Sequence, residues 1–320
     1  MHILRCKTGP LDLEVHVEDF DILSFIEHTL PVGSVKAAPE ATIRIHEKAS
    51  CPQIHERASY DPTAIVYDLK NVTYVYYPHD SIYRVSVGNR ARGLIDFKKS
   101  SAVWNMRRSI PAPRSAFHIL VLDPLSLLLP SRGLQILHGA AVVSRQGATL
   151  LLGRSGSGKS SLGLLASHLN PDDEIRFLSD DTLFLDFTSD IVQVHPVHTG
   201  FGITSELLAR LNIRDHNILQ YGQGKAYLSH VPCQSQGPHK ISRIIFLEKE
   251  SAGPPSTKVT RLSREKTLLN LLDSQTTIGS PFLLERFNLL KRLTRQAPGI
   301  SLRYAKYCNL DVLRTIVTED

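Results

Sequence analysis

The chain has little cysteine, no long apolar run and no strong charge of one sign. Its four cysteines, Cys6, Cys51, Cys233 and Cys308, are scattered through 320 residues, with no C-x-x-C pair among them. That spacing signals neither a zinc site nor a disulfide framework, and it suits reduced thiols in a cytoplasmic protein. The apolar patch around residues 119–129 is interrupted by Asp123, Pro124 and Ser126, so no stretch is long enough for a bilayer and no membrane partner is expected. The start, Met1-His2-Ile3-Leu4-Arg5-Cys6-Lys7, is soon followed by Asp12 and Glu14 and lacks the apolar core of a signal peptide. With 37 Lys+Arg against 31 Asp+Glu the formal charge is +6. Such an excess suits anionic ligands and does not argue for nucleic acid. There is no internal repeat, no low-complexity tract and no LSGGQ-type signature of a transporter ATPase.

What is present is an ordinary globular composition, 42% hydrophobic, over a length that accommodates two domains. The first part, 1–115, reads as a β-rich α+β module for docking or substrate recognition. Residues 41–46 alternate, while 72–77 and 81–87 are dense in β-branched and aromatic residues. Pro78-His79-Asp80 between the last two reads as a hairpin turn, and 19–30 as a short helix. Pro111, Pro113, Pro124 and Pro130 mark a junction, with a short helix near 116–122. The second part, 116–320, reads as α/β. Strands are expected at 134–143, 148–152, 175–186 in two segments, 191–197 and 241–247. Helices are expected from Lys159 to about Leu169, at 204–211, 264–272 and 281–295, and a long loop over 219–240.

One motif carries the chemistry. Gly153-Arg154-Ser155-Gly156-Ser157-Gly158-Lys159-Ser160-Ser161 fills G-x-x-x-x-G-K-[ST], with a short apolar run before it and a helical pattern after it. In such a loop successive backbone N–H groups close around nucleotide phosphates, the lysine reaches the β/γ-phosphates and the hydroxyl of Ser160 holds Mg²⁺. Ser144-Arg145-Gln146-Gly147 makes the preceding strands an antiparallel hairpin, an unusual entry into a phosphate loop.

Asp180-Asp181 follows the loop by about 20 residues, at the end of an apolar strand. A bound triphosphate needs a carboxylate to orient its metal, and an acceptor hydroxyl benefits from a base. Neighbouring strand residues point to opposite faces, so one carboxylate suits the γ-phosphate and the other the metal. Asp186 and Asp190 read as turn residues. His138-Gly139 lies on a strand beside the loop strand. His195 and His198, in a segment ending Gly200-Phe201-Gly202, fit either phosphate-binding amides or a plain turn.

His138-Gly139, the loop, and Ser179-Asp180-Asp181, in that order and spacing, resemble the catalytic domain of the HPr kinase/phosphorylase family. The resemblance covers about residues 134–210. It implies a P-loop kinase core similar to HPr kinase and phosphoenolpyruvate carboxykinase. The implied function is an ATP-dependent (or other NTP-dependent) serine kinase with Mg, acting on a peptide or small protein. Lys159 and Ser160 keep their loop roles, one of Asp180 and Asp181 becomes the base, with Asp180 preferred and Asp181 then joining Ser160 at the metal, and His138 is an active-site residue. The family's Glu-x-Arg-Gly-x-Gly appears here as Val197-His198-Thr199-Gly200-Phe201-Gly202. The metal-associated glutamate and the phosphate arginine are therefore replaced, and Glu206, Lys225 and Arg243 are the candidates to substitute. The N-terminal module and these replacements resemble the kinases of lasso-peptide gene clusters, which phosphorylate the C-terminal serine of a precursor peptide. The basic excess favours an acidic or carboxylate-bearing acceptor. A small-molecule kinase, a carboxykinase relative and a non-catalytic nucleotide-binding regulator are the alternatives. A homo-oligomer is compatible with the sequence.

Overall fold

The computed structural model describes residues 2–8, 11–18, 26, 39, 41–47, 63–69, 72–107, 116–168, 174–197, 201–211, 218–222, 225–228, 235, 237–250, 257–274, 282–305 and 309–318. The chain divides into two compact units, 1–132 with 277–286, and 133–276 with 287–320. Residues 116–132, expected with the second domain, therefore belong to the first. Packing explains this. Tyr74 Oη donates to Asp123 Oδ2 at 2.8 Å, and Leu120, Val121, Leu125, Leu127 and Leu128 are buried. Burial pushes the Asp123 carboxyl up from its ordinary value.

The first unit is built on eight strands: β1 (His2–Thr8), β2 (Leu11–Val17), β3 (Ala41–Glu47), β4 (Ile65–Leu69), β5 (Val72–Tyr77), β6 (Ile82–Val87), β7 (Ala91–Asp96) and β8 (Ser101–Met106). They form one sheet in the order β1-β2-β3-β8-β7-β6-β5-β4. Only the β2–β3 and β3–β8 pairs are parallel. The expected strands at 41–46, 72–77 and 81–87 are all found. The turn joining the last two closes through Ser81 N–H to the Pro78 carbonyl. An aromatic cluster packs around the buried Tyr83, with Tyr74, Tyr76 and Phe97 rings 4.9 to 6.3 Å away. The helix expected at 19–30 lies outside the described residues apart from Ile26, which is buried. A π turn (His118–Leu122), helix α1 (Asp123–Leu128) and a 3₁₀ turn (Leu129–Arg132) follow in the same unit.

The second unit opens with β9 (Leu134–His138), β10 (Ala140–Ser144) and β11 (Gly147–Leu152). The single strand expected over 134–143 is thus two, broken at Gly139. A Cβ at Gly139 would stand 2.5 Å from Leu152 Cδ2 and 3.0 Å from the Leu151 carbonyl, so only glycine lets the chain cross there. β10 and β11 pair antiparallel, as the short turn between them predicts. Then come α2 (Lys159–His168), β12 (Arg176–Ser179), β13 (Thr182–Asp186), β14 (Gln193–Pro196), β15 (Phe201–Thr204) and α3 (Ser205–Arg210). The segment expected to be a long loop instead holds β16 (Ile218–Gly222) and β17 (Lys225–Leu228), which form a three-stranded sheet with β15. Its turn-forming residues hid a hairpin with few β-branched side chains. The chain ends with β18 (His239–Lys249), β19 (Thr257–Arg261), α4 (Arg264–Asp273), α5 (Leu283–Gln296), β20 (Gly299–Tyr304) and α6 (Leu310–Thr318).

The main sheet runs β12-β10-β11-β18-β14-β13-β9, with β20 also on β18 and β19 on β20. β11, β18 and β20 are parallel neighbours. Alternation along β11 divides the core. Leu151 packs with Leu162, Leu165, Phe177 and Leu313 on the α2 and α6 side. Leu150 and Leu152 pack with Phe246, Leu271, Leu290 and Leu293 on the α4 and α5 side. Both faces are covered, which is what a strand buried at every position requires. The mixed α/β class expected for this part is observed. Among the described residues no helix is long and apolar enough to cross a membrane.

Candidate functional site

The parallel strands β11 and β18 bring their C-terminal ends to one edge, where open α/β sheets place their ligands. At that edge β11 runs into the glycine loop. Gly156 and Gly158 have φ near +80°, a conformation that a Cβ disfavours. Ser157 N–H closes a turn on the Arg154 carbonyl at 3.1 Å. Helix α2 starts at Lys159, so the unpaired amides of its first turn and the positive end of its dipole face the loop. Lys159 is buried, and its Nζ donates to the carbonyls of Gly153 at 2.9 Å and Arg154 at 3.2 Å. Tyr304, at the end of β20, donates to the Ser157 carbonyl at 2.6 Å and braces the loop from beneath.

Asp180, 4% exposed, is held between two donors. Ser160 Oγ donates to its Oδ1, and Gly202 N–H to its Oδ2 at 3.0 Å. The amide from the Gly200-Phe201-Gly202 segment thus serves a carboxylate. Asp181 has φ +65°, a left-handed backbone that a non-glycine residue adopts only under constraint. The constraint is visible. The Asp181 carbonyl accepts Gly139 N–H at 3.3 Å and His138 Nδ1–H at 2.8 Å. That contact requires the proton on Nδ1, and Nδ1 also stands 3.2 Å from Asp181 Oδ1.

These groups line a cleft of about 490 Å³, together with Ser155, Gly156, Gly158, Ser161, Glu206 and Lys249. Gly153, Arg154 and Ser157 line a second cleft of about 910 Å³, which shares His138, Ser155, Gly156 and Lys249 with the first. All the expected site residues are therefore on the loop or at its two mouths. The structure gives the two carboxylates different partners. Asp180, taken as the base, is engaged by the loop serine, and Asp181, taken as the metal partner, faces His138. Ser160 and Asp180 place two oxygens side by side, of the kind Mg²⁺ takes. No group of three or more His, Cys, Asp or Glu suited to a metal occurs among the described residues.

Of the substitutes considered for the missing family residues, Glu206 lines the first cleft. Arg243 points elsewhere and donates to the Ile316 carbonyl. The side chain of Lys225, and His198, Thr199 and Gly200, lie outside the described residues. Val197 is buried with its amide and carbonyl on Ser179 Oγ, at 3.2 and 3.0 Å. His195 is remote from phosphate chemistry: it is buried, 3.5 Å from Asp186 Oδ2. Asp186 does make the expected turn, accepting from Thr188 N–H and Oγ1–H at 2.8 and 2.6 Å. Sequence reasoning missed Lys249 and Tyr304. Their signal was positional, since each sits at the end of a strand parallel to β11.

No protein-family model matches the chain, and no curated protein matches it. Among solved structures, the chain is similar to the Hpr(Ser) kinase/phosphatase from Coxiella burnetii, at 14% identity and TM-score 0.30 over 57% of this chain and 87% of that one. At that TM-score the likeness by itself assigns no activity here.

Proposed function

We propose that the chain is a kinase that transfers the γ-phosphoryl group of ATP, or of another nucleoside triphosphate, to a serine hydroxyl on a peptide or small protein, with Mg²⁺. The observation that carries this is the pair of adjacent carboxylates in two different settings at one phosphate loop, Asp180 on Ser160 and Asp181 on His138. Lys159 and the loop amides hold the triphosphate. Ser160 and Asp180 would hold the metal, which neutralises charge on the phosphate oxygens when bound. Asp181 takes the proton of the serine hydroxyl. The serine oxygen forms its bond to phosphorus as the bond from phosphorus to the β–γ bridging oxygen breaks, and the nucleoside diphosphate leaves. His138 Nδ1–H keeps the Asp181 carboxylate in place. This reverses the roles that the family resemblance gives the two aspartates. The same resemblance makes a precursor peptide ending in serine the first acceptor to try.

The test supplies γ-labelled ATP, Mg²⁺ and synthetic peptides with internal or terminal serine, and reads phosphoserine by mass spectrometry. Phosphoserine formation that depends on Lys159 is the expected result. Nucleotide binding with no phosphoserine on any peptide would overturn the kinase reading in favour of a nucleotide-dependent regulator.

A further inference from the structure

Two clefts open on the phosphate loop, and four residues line both: His138, Ser155, Gly156 and Lys249. The first cleft contains Lys159, Ser160, Asp180 and Asp181. The second contains none of these and is nearly twice as large, about 910 against about 490 Å³. Its walls are the end of β18, from Phe246 to Glu250, and the end of α4, with Asn270, Asp273 and Ser274. In-line transfer needs donor and acceptor on opposite sides of the moving phosphoryl group. Lys159, Ser160 and both aspartates lie in the first cleft, while loop residues 153–157 line the second, which gives a separate approach to the shared corner.

We propose that the second cleft holds the acceptor, a polypeptide segment whose serine reaches that corner, and that Asp273 recognises a basic residue of the same segment. This rests on the kinase reading above. A volume of this size is at the upper end of ligand pockets and has room for a serine with its flanking residues. The charges single out Asp273. Glu248 and Glu250 share Arg303 as an ion-pair partner, at 2.9 and 3.6 Å. Arg154 and Lys249 stand beside the loop, where a triphosphate supplies their counter-charge. Asp273 has no ion pair among the described residues. It is the last residue of α4, where a negative charge opposes the helix dipole. Local preferences of this kind are broken at functional or strained sites. Asn270, three residues earlier, faces the same side and adds hydrogen-bonding capacity to that wall. The expectation of an acidic acceptor, drawn from the whole-chain charge, gives way to this local balance.

The experiment compares serine peptides in which one lysine or one glutamate is walked through the positions flanking the serine. Full-length wild type, Asp273→Asn and Asp273→Lys are compared with γ-labelled ATP. Circular dichroism melts report folding, and titration with a fluorescent ATP analogue reports the loop. Wild type should favour the best lysine peptide over its glutamate counterpart in kcat/KM by about fivefold, the upper end for an exposed ion pair. Asp273→Asn should erase the preference and Asp273→Lys invert it. The same preference in wild type and Asp273→Lys, or a wild-type preference for glutamate, overturns the cleft assignment and leaves the kinase reading standing. ATP binding with no peptide phosphorylated overturns both.

Discussion

The Ser160 hydroxyl donates to one oxygen of the Asp180 carboxylate while the Gly202 amide holds the other. A carboxylate fixed in this way is poised to orient a metal at Ser160 rather than to receive an acceptor's proton. Asp180→Asn should therefore raise the Mg²⁺ requirement for nucleotide binding by about 10–100-fold, the usual effect of losing a supporting carboxylate. Asp181→Asn should instead slow single-turnover transfer by about 10²–10⁴-fold with nucleotide affinity retained. Titrations at varied Mg²⁺ and single-turnover kinetics separate the two. The opposite pattern would return the base role to Asp180.

Lys159→Ala should lower transfer by at least about 10²–10³-fold, because a positioned charge on the moving phosphoryl group is lost. The fold should survive, since the hydrogen bonds of Nζ to the Gly153 and Arg154 carbonyls brace the loop rather than the sheet. Labelled ATP measures the first effect and a thermal melt the second. Transfer at the wild-type rate would remove the loop from the mechanism.

Gly139→Ala tests the strand break. The added methyl meets Leu152 and the Leu151 carbonyl, and overpacking of this kind costs about 1–3 kcal/mol. It also displaces the amide that Gly139 gives the Asp181 carbonyl. Urea unfolding should show the loss, and transfer should fall more than stability. An unchanged midpoint would show that the crossing has room.

Burial of His195 pushes its pKa below the ordinary 6.5, and nearby Asp186 only partly offsets this. A histidine whose folded pKa is depressed binds protons more readily when unfolded, so acid favours unfolding. Stability should hold above the ordinary value and fall as pH drops through 6.5. His195→Gln should flatten that part of the profile. Urea midpoints on either side of that pH measure the slope. A variant as acid-sensitive as wild type would place the cause in other groups.

Val197 stands where the resembling family has a metal-associated glutamate, and it is buried on Ser179. With Thr199 in place of the arginine, inorganic phosphate lacks the fork that grips it. Incubating phosphorylated peptide with the protein, Mg²⁺ and phosphate should release little or no pyrophosphate. Rapid release would show that other residues fill both roles.

The loop, its flanking strand and helix, the antiparallel entry and the carboxylate pair were legible because each is written in contiguous residues. What was hidden depends on tertiary pairing. Nothing local separates β9 from β10, since both are apolar and the break depends on the approach of Leu151 and Leu152. The β16–β17 hairpin was obscured by its glycines. The roles of Asp180 and Asp181 hinge on which hydroxyl and which imidazole lie alongside them, and on a left-handed turn at Asp181. Lys249 looked like one more charge after an apolar run until β18 was placed beside β11.

β18 is measured by three partners at once. It pairs with β14 through His239 and Lys240, with β11 from Ile241 to Phe246, and with β20 from Ile244 to Lys249. Inserting one residue would exchange Ile244 and Phe246 with Ile245 and Leu247, turning each core layer's side chains into the other. Inserting two would restore the faces but carry Lys249 about 7 Å along the strand, away from the corner the clefts share. Odd changes of length invert the core and even ones empty the corner, so this strand is a fixed-length gauge between the sheet and the loop.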